Sequence, residues 1–135
     1  MAKVEKVTEF WVRLRKKIGS LAKAMDALAD GGVNGRAFVA WEEKKSGVLL
    51  FVPNDVRKAT RALKAARLRF KKNPAIAVTC KNRRGSGKRI AQALAEAEIN
   101  ITGGYASAVG TGNYLTVINT DNNMAAMRVL KDLKL

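Results

Sequence analysis

Apolar and polar residues alternate through residues 7–15, with Phe10, Val12 and Leu14 on one side and Trp11, Arg13 and Arg15 on the other. That is the pattern of a half-buried strand. Over residues 20–30 the period lengthens. Leu21, Ala24, Met25 and Leu28 fall on one helical stripe, and Gly31-Gly32 ends it. Residues 33–42 and 48–52 predict a hairpin closed across residues 43–47. Asn54-Asp55 starts a second helix that turns Val56, Ala59, Leu63 and Ala66 inward, and residues 68–71 supply a closing strand. The order is strand, helix, strand, strand, helix, strand.

The same order recurs. A slide of 66 residues lays KIGSLAKAMDALADGGVN, residues 17–34, on RRGSGKRIAQALAEAEIN, residues 83–100, without a gap. Gly19 meets Gly85, Ser20 meets Ser86, Leu28 meets Leu94 and Asn34 meets Asn100. The expectation is an α+β, ferredoxin-like βαββαβ sandwich duplicated in tandem, with units at 1–72 and 73–135 and a joint at Lys72-Asn73-Pro74. The second closing strand has only residues 133–135 available. This fold hosts regulators, nucleic-acid binders and enzymes, so it does not name a function.

Composition removes several chemistries. The chain of 135 residues has no histidine and one cysteine. Histidine-based triads, histidine-ligated metals, thiolate zinc sites and an internal disulfide are therefore excluded. No metal and no cofactor is expected. No apolar run is long enough to cross a membrane, and the opening MAKVEKVTEF lacks a secretory pattern, so the expected compartment is the cytoplasm. Cys80 shares strand phase with Ile76 and Val78 and reads as a core residue. Asp26 and Asp30 read as surface charges.

The two helix segments and their GVN and EIN tails resemble the ACT domain family of amino-acid-binding regulatory modules. That family writes a strand, an N-x-P-G turn and a helix of the type LAxIAxALAxAGINI. The resemblance spans nearly the whole chain as two ACT-like units. Ile18 and Arg84 stand where the family has proline, and Gly87 stands opposite Leu21. The resemblance implies a non-enzymatic regulatory protein. It would bind an amino acid or similar small anionic metabolite where the first turn of one unit faces the second strand of a neighbour. Carried onto this chain, those positions are Gly19, Ser20, Leu21 and Asn34, and Gly85, Ser86, Gly87 and Asn100. The physics of the turn agrees: a glycine before a helix allows close backbone approach, and the helix's first N–H groups can hold an anion. A tight turn with serine caps is the alternative. Gly87, smaller than Leu21, points to the second turn as the roomier site.

Charge adds a second theme. Lys and Arg number 26 against 11 Asp and Glu, a net +15. No acid interrupts residues 56–95, which hold half of the basic residues. Arg15, Lys16 and Lys17 precede Gly19, while Arg83, Arg84, Lys88 and Arg89 surround Gly85. Cations at a helix N-terminus oppose its dipole, and an anion there would offset them. Arg57, Arg61 and Lys64 line one face of the second helix. With the exposed Trp11 and Trp41, they open the alternative function, a nucleic-acid-binding protein. The other account of the charge is solubility or background composition. GSGK at 85–88 is not a phosphate loop, since Asn82 replaces its first glycine and Arg89 its Ser or Thr. Units of this size bury little core and the Trp11 face wants cover, so a homodimer or larger oligomer is expected.

Overall fold

The computed structural model describes residues 2–108 and 112–135. The elements are β1 (Lys3–Arg15), α1 (Ser20–Asp30), β2 (Gly35–Glu42), β3 (Ser46–Pro53), α2 (Val56–Ala65), β4 (Arg69–Lys81), α3 (Ser86–Glu96), β5 (Ile101–Ala108), β6 (Asn113–Thr120) and α4 (Asn123–Asp132). Six antiparallel strands and four helices form a mixed α+β fold. Two compact units result: Thr8–Asn73, and Met1–Val7 with Pro74–Leu135.

In the Thr8–Asn73 unit, β3 pairs with both β1 and β2, and the opening residues of β4 lie beside β1. The register sets Phe10 opposite Phe51 and Phe51 opposite Phe38. These rings stack at 5.3 and 5.7 Å, and Phe70 adds a third stack on Phe10 at 5.9 Å. This aromatic row faces the helices. Ala24 and Leu28 of α1 and Ala59, Ala62 and Leu63 of α2 bury against it, with Val12, Leu14 and Leu49. Gly31 is needed where the helices meet, because a Cβ there would lie 2.6 Å from the Ala62 Cβ. Leu21, Met25 and Val56, read from the sequence as inward, are each more than a third exposed. The helices bury small alanines close to the sheet, which leaves the flanking larger side chains outside.

In the other unit β6 pairs with β4 and β5, and Ile76, Val78 and Ile118 meet Ile90, Leu94, Ala126 and Leu130 of the helices. Residues 133–135 form no strand. Residues 3–7 belong to this unit instead, and Val4 packs on its core. Three residues are too few to close a sheet, whereas β1 has thirteen and can serve both units. The first seven residues thus group away from residues 8–72. Lys72, Asn73 and Pro74 lie within the unbroken strand β4, so the joint is a point along a strand, not a loop. Cys80 is buried, as its strand phase predicts.

The sheet face bearing Trp11 is buried in part: Arg13, Arg15 and Trp41 on it are exposed. Glu9, Val48 and Val52 lie on it by register and are at most 2% exposed within one chain. Among the described residues no helix is long and apolar enough to cross a membrane.

The second helix of each unit starts on a side-chain cap. The Asp55 carboxylate accepts from the Lys58 N–H at 3.1 Å, and the Asn122 amide oxygen accepts from the Ala125 N–H at 3.1 Å. The Lys58 bond is the main reason the Asp55 carboxyl sits below its ordinary value of 3.8. A lowered folded pKa stabilises fully above the unfolded value, and that stabilisation disappears as pH falls through the folded one. Asp55→Asn keeps a capping oxygen but cannot titrate. We expect wild type to lose melting temperature below about pH 4 more steeply than Asp55→Asn. Thermal unfolding from about pH 2 to 6 checks this, and parallel curves would contradict it.

Candidate functional site

The first helix of each unit begins differently. After Arg15 the chain turns: the Lys17 N–H bonds the Arg15 carbonyl at 2.9 Å and the Ser20 N–H bonds the Lys17 carbonyl at 3.2 Å. Gly19 then takes φ +90° and Gly85 φ +88°, a left-handed conformation that side chains disfavour. Neither position has an atom within 4 Å of an added Cβ, so the glycines serve the backbone angle and leave open space beside them. Neither α1 nor α3 has a side-chain cap bond, unlike α2 and α4.

Beside Gly19 lies a cavity of about 750 Å³. The end of β1 supplies Arg13, Leu14 and Arg15, and the turn supplies Lys17, Ile18 and Gly19. Ser20 and Lys23 come from α1, Lys45 and Ser46 from the β2–β3 hairpin, Ala66, Arg67 and Leu68 from the α2–β4 connection, and Arg69 from the start of β4. All of them fall within Thr8–Asn73. Seven are cations and none is an acid. Among the described residues no carboxylate pairs with any of the seven; the ion pairs are Lys3–Glu5 and Lys16–Glu42.

Local structure explains the gathering. α2 ends with the Arg67 N–H on the Lys64 carbonyl and the Leu68 N–H on the Leu63 carbonyl, both at 3.0 Å, a Schellman closure. Its left-handed position, usually glycine, is Arg67 at φ +57°. Leu68 then packs on the core, which fixes the path of Arg67 and Arg69. Arg13 donates to the buried Ser46 hydroxyl at 3.5 Å.

Of the first unit's sequence-predicted positions, Gly19, Ser20, Arg15 and Lys17 line the cavity. Leu21 and Asn34 do not. The Asn34 N–H is held by the Asn54 side chain at 3.0 Å, and the Asn100 N–H by Asp121 at 3.2 Å, so both sites brace loops. Lys16 turns to Glu42 and to the Lys44 carbonyl. Arg57, Arg61 and Lys64 are exposed on α2, away from the lining. Arg83, Arg84, Lys88 and Arg89 are exposed around the second turn, where the Arg89 guanidinium donates to the Lys134 carbonyl. Arg13, Lys23, Lys45, Arg67 and Arg69 were missed as site residues. The acid-free run from residue 56 already contained the last two.

One expectation is overturned. Gly87 does not leave room at the second turn, because the Tyr114 hydroxyl lies 2.9 Å from where its Cβ would be. Ser86 is buried there, donating to the Lys81 carbonyl at 3.0 Å and accepting from the Arg83 N–H at 3.3 Å. The Ser20 hydroxyl has no such partner among the described residues. Arg13 and Lys71 sit over the Trp11 ring at 5.3 and 5.5 Å. Trp41 is exposed and donates to Glu43 at 3.3 Å.

No family model and no curated protein matches the sequence. The fold, however, is shared with solved structures. A Bacteroides thetaiotaomicron protein superposes with a TM-score of 0.88 at 23% identity, over 96% of this chain and 89% of that one. The ligand-free regulatory subunit of aspartate kinase from Thermus thermophilus gives 0.67 at 17% identity, over 96% and 94%. Aspartate kinase from Clostridium acetobutylicum, described as an allosteric enzyme, gives 0.64 at 14% over 96% of this chain and 33% of that one. The chain therefore has the ACT-like fold of aspartate kinase regulatory domains.

Proposed function

We propose that this chain is a cytoplasmic, non-enzymatic regulatory protein built from two duplicated ACT-like units. It binds a small anionic metabolite, an amino acid or a compound of similar size, beside the Gly19 turn. The observation that carries the reading is the cavity of about 750 Å³ with seven cations and no acid, opening on an uncapped helix start. The fold shared with aspartate kinase regulatory subunits supports it. The regulatory output passes through a partner protein or a second copy of the chain.

Calorimetry with the amino acids, dicarboxylates and common nucleotides tests the proposal. At least one anion should bind, and Arg15→Ser with Lys17→Ser should weaken it by about tenfold or more, as charge-assisted contacts are lost. Charge variants suit this purpose better than Gly19→Val, because φ +90° strains any β-branched residue whether or not a ligand binds. Absence of binding by every compound, or full affinity in the double variant, would overturn the reading.

A further inference from the structure

The cavity's charge says more about its ligand than its position does. A free amino acid brings one carboxylate and an ammonium, and the ammonium needs acceptors. Among the lining side chains only the Ser20 and Ser46 hydroxyls could accept from it; none is a carboxylate or an amide, and seven are cationic. An ammonium placed here would face repulsion from several sides. Four of the cations, Arg13, Arg15, Arg67 and Arg69, carry guanidinium groups, whose planar forks match phosphate oxygens two at a time. Lys17 and the Ser20 hydroxyl stand at the uncapped start of α1, the backbone setting that favours phosphate.

Resting on the anion-site reading above, we propose that this cavity takes the di- or triphosphate chain of a small molecule. The phosphate oxygens meet the arginines and the first turn of α1. Arg67 is the informative residue. It occupies a left-handed helix-terminal position where glycine would be favoured, and it also lines the cavity. Glu98 ends α3 with a similar angle, φ +58°, so the angle alone is not the argument. The use of Arg67 is that its role can be tested without harming the fold: Arg67→Gly relieves the backbone and removes a cation together.

Isothermal titration of the full chain with inorganic tripolyphosphate, ATP and aspartate tests this. Both oligophosphates should bind one per chain, about tenfold or more tighter than aspartate. Arg67→Gly should weaken them about tenfold or more while its melting temperature stays level or rises. Arg57→Ser with Arg61→Ser, away from the lining, should leave affinity within about twofold. Equal affinities for ATP and tripolyphosphate would assign recognition to the phosphate chain alone, and tighter ATP would add its nucleoside; both support the proposal. Tighter binding of aspartate, lost in Arg67→Gly, would overturn the phosphate class and keep the anion site. Equal losses in the Arg57 and Arg61 variant would reveal diffuse attraction and overturn it too. If no probe and no compound of the wider panel binds, both readings fall.

Discussion

Phe51→Ala is expected to lower the free energy of unfolding by about 3–5 kcal/mol. Phe51 is fully buried in the centre of the aromatic row, stacked on Phe10 at 5.3 Å and on Phe38 at 5.7 Å. Its removal empties the middle of the row and takes both stacks with it. The neighbours cannot collapse into the gap, since Phe10 and Leu49 are held by strand register. Urea unfolding followed by tryptophan fluorescence is the measurement. Both tryptophans, Trp11 and Trp41, lie in Thr8–Asn73, so the signal reports the unit that carries the lesion. Phe51→Leu should cost less, because it retains much of the volume. An unmoved fluorescence midpoint in Phe51→Ala would show that the row does not hold this unit together.

The second large effect is a coupling. Gly87→Leu drives a Cβ to 2.9 Å from the Tyr114 hydroxyl, and the crowding should cost about 1–3 kcal/mol. The first unit shows the complementary solution. Cys80 faces Tyr114 across β4 and β6, as Leu14 faces Gly47 across β1 and β3. Where the second unit sets a small turn residue, Gly87, beside a large strand residue, the first has Leu21 at the matching turn position and Gly47 at the matching strand position. Gly87→Leu combined with Tyr114→Gly should therefore be less destabilised than the sum of the singles by about 0.5–3 kcal/mol. Urea unfolding of both singles and the double by circular dichroism closes the cycle. A double variant that simply adds the two losses would mean that the residues do not share space.

The local parts of this fold were legible in the sequence. Period change and the Gly31-Gly32 stop gave α1 its observed bounds, and alternation gave Phe10, Val12 and Leu14 their buried face. What was not legible depended on distant pairing. Residues 3–7 show little alternation of their own, and their place follows from the second unit lacking a closing strand. The site divides the same way. Gly19 and Ser20 announce themselves by motif, whereas Lys45, Arg67 and Arg69 reach the cavity through a hairpin and a helix end. Arg67 was hidden twice, since a non-glycine residue in the left-handed position leaves no sequence mark. The roomy appearance of Gly87 misled because the filling side chain, Tyr114, sits on another element.

The sharing of β1 has a consequence for synthesis. Thr8–Asn73 is one uninterrupted stretch, so all that its core needs has left the ribosome once Asn73 has emerged. The other unit draws on residues 3–7, made before that stretch, and on Pro74–Leu135, made after it. Its first strand segment must wait for the rest of the chain with its edge groups unpaired. The connectivity thus orders the two units in time. The contiguous one is ready to fold during translation, while the other closes a long loop only when α4 has emerged, which places the slow, non-local step after it. Proteins stalled in translation before that point would present a folded first unit with a free strand at its head, a handle for chaperones and an invitation to pair with another nascent copy.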